Sequence, residues 1–161
     1  GVKTSISTNG LLVNEKTVKK LVQSNLSIAQ ISIDGPKKNH DQLRGKDVFK
    51  KAIQCFRIFK DAGIETRAAM TVTKLNYMYI KETSDICFKA GADRFVVFRY
   101  LPEGRKNREL MLSIEDLMAV TSELLRIEKN HAETAVGFEN LTFFPHLIDP
   151  LRIPSHNVMQ E

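Results

Sequence analysis

Three polar side chains on one strand face, followed by an arginine, are the residues of this chain best suited to bind a ligand. Gln30, Ser32 and Asp34 alternate with apolar residues, and alternation at period two places all three on one face of a strand. A buried strand rarely carries three polar side chains on one face unless they meet partners or a ligand. A Gly-Pro pair ends this strand, and the following loop brings the guanidinium of Arg44 to its carboxyl end. Parallel α/β folds bind ligands at that end, and a guanidinium suits a carboxylate.

A second strand carries a matching polar face. Ser5, Ser7 and Asn9 alternate with other residues near the start of the chain, and Gly10 follows them. Small polar groups on this face are suited to line a ligand site, and glycine permits a tight turn that approaches a ligand closely. Ordinary turn chemistry at a strand end explains the same residues equally well.

Strands and helices alternate along most of the chain. The hydrophobic pattern predicts strands at 2–8, 29–34, 65–72 and 94–100, and helices at 14–24, 48–62, 77–90 and 114–129. Asn14, Asp47 and the pair Ser113/Asp116 provide helix-start signals. Residues 134–138 are compatible with one further short strand. This alternation predicts a parallel sheet with right-handed crossovers.

Composition narrows the class of protein. The 161 residues fit one domain, and the hydrophobic and charged fractions of 42% and 27% are ordinary for a globular chain. No apolar run is long enough to span a bilayer. Two cysteines, Cys55 and Cys87, fall in predicted helices; they fit a reducing cytoplasm and supply too few ligands for an iron–sulfur cluster. A net charge of +5 favours anionic ligands, although a solvated basic surface is the commoner explanation, and we expect neither membrane nor nucleic-acid binding.

An ordered set of motifs resembles the radical S-adenosylmethionine enzymes, especially the peptide- and tetrapyrrole-modifying branch with a SPASM-type extension. The motifs are Ser7–Leu12, Ile31–Pro36, His40–Gly45, Ala62–Ile64, Thr71–Thr73 with Asn76, Gly91–Phe95 and Arg99–Arg105. The family's CxxxCxxC cluster motif and Gly-Gly-Glu-Pro segment are missing from this sequence. The resemblance therefore implies the C-terminal half of a (β/α) partial barrel of the TIM-barrel-like type, with four parallel strands and outer helices at 1–138. It also implies an irregular linker toward a C-terminal extension at 139–161.

The resemblance assigns cofactor contacts to particular residues. Ser32 occupies the position that hydrogen-bonds the ribose of S-adenosylmethionine, and Arg44 the position that contacts its carboxylate. Leu101 stands where relatives pack the adenine. Relatives often carry a polar residue at the position of Ala69, so Thr71, on the same face, is the remaining candidate on that strand. Ser7 and Asn9 would line the barrel lumen near the cofactor.

Structural alternatives stand beside several of these assignments. Ser32 also fits a packed serine that bonds a neighbouring strand. Asp34 is as well suited to holding the strand-end turn as to touching a ligand. Arg44 alternatively pairs with Asp41 or Asp47 at the surface. The adjacent His40 and Asp41 are expected to shape the loop, because no nucleophile accompanies them.

The resemblance implies that the full-length protein is an enzyme. A [4Fe-4S] cluster, with ligands outside this chain, would cleave S-adenosylmethionine to a 5′-deoxyadenosyl radical that abstracts hydrogen from a peptide or tetrapyrrole substrate. A ferredoxin or flavodoxin would supply the electron in the cytoplasm. The alternatives are a non-radical α/β module that binds a nucleotide or anion, and an aldolase-type barrel enzyme. No lysine in the interior of a predicted strand supports the aldolase alternative.

Overall fold

The computed structural model contains one sheet of five parallel strands in the sequential order β1-β2-β3-β4-β5. The structure describes residues 2–102 and 106–131, and the backbone of 135–139. The strands are β1 (Thr4–Thr8), β2 (Leu26–Ser32), β3 (Glu65–Val72), β4 (Arg94–Arg99) and β5 (Ala135–Glu139). The helices are α1 (Glu15–Gln23), α2 (Lys37–Arg44), α3 (Val48–Asp61), α4 (Ile80–Lys89) and α5 (Ile114–Asn130), with short 3₁₀ turns at Tyr77–Tyr79 and Arg108–Leu110.

The four predicted parallel strands and their helices are confirmed. The sheet continues into β5, which pairs in parallel with β4 and extends the four-strand sheet at the place where the sequence allowed a further short strand. The predicted linker at 139–161 lies outside the described residues from 140 onward.

The helices pack on one face of the sheet. Every second residue of each central strand points into this core, as Ile31, Met70 and Phe95 do, and meets helix residues such as Phe56 and Val120. Fully burying a side chain of this size contributes about 1.5–3 kcal/mol. The intervening strand residues form the opposite face, which we call the open face. It comprises Ser5, Ser7, Ile28, Gln30, Ser32, Glu65, Arg67, Ala69, Thr71, Arg94, Val96 and Phe98.

The segment after β2 is helical, whereas the sequence predicted a loop. Residues Lys37–Arg44 form α2, which follows Pro36 and has no side-chain cap. Its one buried residue is His40, so it has no apolar stripe at helical spacing to signal a helix. The helix places His40 and Arg44, one turn apart, on the same side.

The helix start predicted at Asp47 is confirmed in position, since α3 begins at Val48, but the Asp47 side chain does not cap it. Asp47 adopts a left-handed conformation (φ 63°) and makes no capping hydrogen bond. The carboxylate of Asp41 takes that role, since its Oδ1 accepts from the backbone N–H of Phe49 at 2.8 Å. Asp41 also pairs with Lys37 at 2.6 Å and so ties α2 to the first turn of α3. The other predicted caps, Asn14 on α1 and the Ser113/Asp116 box on α5, are confirmed.

Within the part of the chain that the structure describes, no helix is long and apolar enough to cross a membrane.

Candidate functional site

Asp34 lies at the centre of a hydrogen-bonded cluster at the carboxyl ends of β2 and β3. Its Oδ1 accepts from the backbone N–H of Thr71 at 3.0 Å, and its Oδ2 pairs with Nε of Arg44. Its own N–H donates to Nδ1 of His40, and its carbonyl accepts from Nδ2 of Asn76, both at 3.0 Å. Asp34 therefore fixes α2 to two strand ends, and both carboxylate oxygens are already engaged by protein donors.

Arg44 is oriented by Asp34 but retains unused donors. Its Nε bonds to Asp34, and 30% of its side chain is exposed. Among the described residues, its two terminal Nη groups have no partner. The surface pairing that the sequence offered as an alternative is not found, because Asp41 and Asp47 face Lys37 instead, at 2.6 and 3.9 Å. The Nη groups can therefore bind an anion.

His40 supports this cluster from inside. The ring is fully buried and packs edge-on against Phe49, with centroids 5.7 Å apart. Because Nδ1 accepts from Asp34, the proton of the neutral ring resides on Nε2, which has no partner among the described residues. Burial lowers the pKa of His40, an effect that the nearby Asp34 carboxylate opposes and that Arg44 strengthens. His40 is thus a positioning residue, as the sequence indicated.

Asn76 also belongs to this cluster, although the sequence did not identify it as a site residue. Its buried amide nitrogen donates to the carbonyls of Asp34 and Thr71 at 3.0 and 2.9 Å. Its Oδ1 accepts from the backbone N–H of Thr73 at 2.7 Å. An asparagine three residues after a threonine at a strand end is a turn signal. Its bond to Asp34, just after β2, spans 42 residues and leaves no local trace in the sequence.

Two hydroxyl groups lie on the open face beside this cluster. Ser32 and Thr71 are both partly exposed, and neither side-chain hydroxyl bonds to another described residue. Ser32 is in register with Ala69, and Thr71 with Phe98. Free hydroxyls on a partly apolar surface, next to a guanidinium, can recognise a ligand that combines hydroxyl, apolar and carboxylate groups.

The remaining predicted residues take no part in the hydrogen bonds of this cluster. Ser7 accepts from the side chain of Gln30 at 3.5 Å, and Asn9 shapes its own turn by accepting from Leu11 N–H at 3.2 Å. Leu101 follows β4 and is 58% exposed. Among the described residues, no hydrogen bond links Ser7, Asn9 or Leu101 to Asp34 or Arg44.

The close backbone approach at Gly10 is to α3. Gly10 has a φ of +83°, and a Cβ there would stand 2.9 Å from Cα of Ala52. The thiol of Cys55 donates to its carbonyl at 3.5 Å. Burial raises the pKa of Cys55 to about 11 and raises that of Cys87. No group of three metal-ligating side chains is found in the described ranges.

Comparison with known sequences identifies the family. A sequence model described as Radical SAM superfamily matches residues 1–93, more than half of the chain. The chain belongs to the radical SAM superfamily. The order of motifs and the parallel sheet agree with this membership.

Several known proteins are similar to this chain. AdoMet-dependent heme synthase of Oleidesulfovibrio alaskensis is 31% identical over 107 residues, which cover 65% of this chain and 28% of that protein. Fe-coproporphyrin III synthase of Methanosarcina barkeri is 30% identical over 155 residues, covering 93% of this chain and 38% of that protein. Streptococcus suis SuiB bound to precursor peptide SuiA superposes with a TM-score of 0.72 at 24% identity, covering 92% of this chain and 35% of SuiB. This radical SAM chain thus spans less than two fifths of the length of each.

Proposed function

We propose that the protein containing this chain binds S-adenosylmethionine at the carboxyl ends of β2 and β3. The observation that carries the proposal is the state of Arg44, which Asp34 holds in place while its Nη groups stay free among the described residues. A partly exposed, pre-oriented guanidinium is suited to bind a carboxylate through two parallel bonds.

The groups around Arg44 fit this cofactor. S-adenosylmethionine carries a carboxylate and ribose hydroxyls, for which Arg44 and the free hydroxyls of Ser32 and Thr71 provide donors and acceptors. We assign the adenine to Leu101, and Ser7 and Asn9 to the wall farther along the open face. Asp34 acts on the cofactor through Arg44, because its own oxygens are already engaged.

We further propose that the whole protein is a radical enzyme that modifies a peptide or a tetrapyrrole. Both substrate classes are supported by its similarity to a heme synthase, an Fe-coproporphyrin III synthase and SuiB bound to a precursor peptide. When bound together, S-adenosylmethionine and a [4Fe-4S] cluster supply a 5′-deoxyadenosyl radical for hydrogen abstraction; the cluster ligands would come from outside this chain.

The setting of the enzyme follows as part of this proposal. A ferredoxin or flavodoxin would supply the electron, and two free, buried cysteines favour the reducing cytoplasm. Residues 1–138 would form the C-terminal half of the barrel, and 139–161 would lead toward a SPASM-type extension.

The decisive experiment compares cofactor affinity in variants of the full-length, cluster-loaded protein. Arg44→Ala removes a charge-assisted pair, which costs about 1.5–3 kcal/mol, whereas Ser32→Ala removes a neutral hydrogen bond, which costs about 0.5–1.5 kcal/mol. We expect calorimetry to show weaker S-adenosylmethionine binding in both, with the larger loss in Arg44→Ala.

Arg57→Ala is the matched control, since Arg57 is an exposed α3 arginine that pairs only loosely with Asp61, at 3.7 Å. Melting temperatures would separate lost binding from lost folding. Unchanged affinity in both site variants, with folding intact, would leave the purely structural explanation of Arg44.

A further inference from the structure

A second charged cluster lies on the open face, toward the amino ends of β3 and β4. The Nε atoms of Arg67 and Arg94 both form ion pairs with the same oxygen of Glu65, Oε1, at 3.0 and 3.1 Å. The three side chains are 25%, 44% and 27% exposed, respectively. The cluster is therefore only partly withdrawn from water and accessible to a ligand.

This cluster carries an unbalanced positive charge. Arg67 and Arg94 are direct cross-strand partners, and like charges at opposed positions destabilise a sheet. One carboxylate offsets one of the two guanidinium charges, and their terminal Nη groups have no partner among the described residues. Two forked donors pointing from adjacent strands, with a net charge of one, can accommodate one more carboxylate.

Neutral donors extend the cluster across the sheet. Gln30 of β2 is in register with Arg67, and Ser7 of β1 is in register with Gln30. The Gln30 amide reaches the Ser7 hydroxyl at 3.5 Å. A continuous polar row thus crosses four strands. It lies nearer the amino ends of the strands than Ser32, which is in register with Ala69.

We infer that Arg67 and Arg94 form an anchoring site for a carboxylate of the substrate, either a tetrapyrrole propionate or an acidic side chain of a peptide. The inference rests on the proposed function, which places the cofactor at Ser32 and Arg44. Arg67 precedes Ala69 by two residues, and strands rise about 3.3 Å per residue. A substrate held at this row would extend about 7 Å along the open face to the level of Ser32.

The experiment uses the full-length protein and probes that differ only in negative charge. Coproporphyrin III is compared with its tetramethyl ester, and a short glutamate-containing peptide with its glutamine counterpart. We expect one acid to bind more tightly than its neutral match, which identifies the source of the carboxylate. In the double variant Arg67→Gln/Arg94→Gln that acid should bind about tenfold more weakly or worse.

Glu65→Gln provides a test in the opposite direction. Removing the internal carboxylate frees both guanidiniums, so the same acid should bind about two- to fivefold more tightly. If the cluster has a purely structural role, Glu65→Gln and the double variant should both have lower melting temperatures. The affinity for the acid should then not fall in one variant and rise in the other. Arg126→Gln, in an exposed α5 pair with Glu123, is the matched control and should bind the acid normally.

S-adenosylmethionine affinity separates this inference from the proposed function. It should be unchanged in the Arg67→Gln/Arg94→Gln variant, since those residues lie apart from Arg44. The anchoring site would be overturned if the acid and neutral probes bind equally, or if neither acid binds the unmodified protein. It would also be overturned if the variants leave the affinity for the acid unchanged. If the unmodified protein does not bind S-adenosylmethionine, the proposed function is overturned instead.

Discussion

At the scale of single residues, Asp34 holds the carboxyl ends of β2 and β3 together, and its polar atoms are already engaged by protein groups. Its carboxylate oxygens accept from Thr71 and Arg44, and its backbone bonds to His40 and Asn76. This geometry favours the turn-shaping explanation of Asp34 over direct ligand contact. Arg44, with donors to spare, is the better candidate for that contact.

His40 should make stability depend on pH. Burial lowers its pKa below the unfolded value near 6.5, so the unfolded state binds more protons between the two pKa values. The free energy of unfolding should therefore fall as pH decreases through and below about 6.5. His40→Asn, whose Oδ1 can still accept from Asp34, should flatten this dependence in urea titrations between about pH 7 and 5. The same slope in His40→Asn and in the unmodified protein would contradict this.

At the scale of elements, Asn76 joins two strands that the chain separates by α2 and α3. It bonds Thr71 and Thr73 near the end of β3 and Asp34 just after β2. Because strand ends fray unless their backbone groups are paired, Asn76 sets the spacing on which the positions of Ser32 and Arg44 depend.

Replacing Asn76 should therefore affect both stability and binding. Asn76→Asp keeps an acceptor for Thr73 but loses the donors to two buried carbonyls, which should lower the free energy of unfolding by about 2–4 kcal/mol. We expect calorimetry to show weaker S-adenosylmethionine binding as well. Asn130→Ala, at the exposed end of α5, should change stability by no more than about 0.5 kcal/mol. If Asn76→Asp changes the free energy of unfolding by no more than this, Asn76 does not hold the two strand ends together.

At the scale of the whole molecule, the sheet is open at β1. Within the described residues β1 pairs with β2 alone, and its outer edge presents backbone groups that another chain can pair. The open face of the sheet also carries polar and charged side chains. These features fit part of a barrel.

The 161-residue chain by itself should consequently self-associate. We expect analytical ultracentrifugation to show oligomers that grow with concentration. Ser5→Lys, at an exposed edge position, should reduce them because a lysine on an edge strand opposes pairing. A monodisperse monomer at high concentration, with cooperative unfolding, would show that the edge is protected in another way.

The sequence by itself determined the local elements of this protein. Period-two alternation located β3 at 65–72 as observed, and capping residues fixed the start of α1 and α5. The polar face shared by Ser32 and Thr71 with the first strand also followed from alternation. These signals are local, since they depend on residues a few positions apart.

Only the tertiary structure decided how these elements meet. α2 lacks an apolar stripe, so its helix depends on the packing of His40. Arg44 bonds to Asp34 rather than to Asp41 or Asp47 because a helix, not a loop, follows β2. Arg67 and Arg94 stand together through strand register, which pairs residues of two strands that α4 separates along the chain.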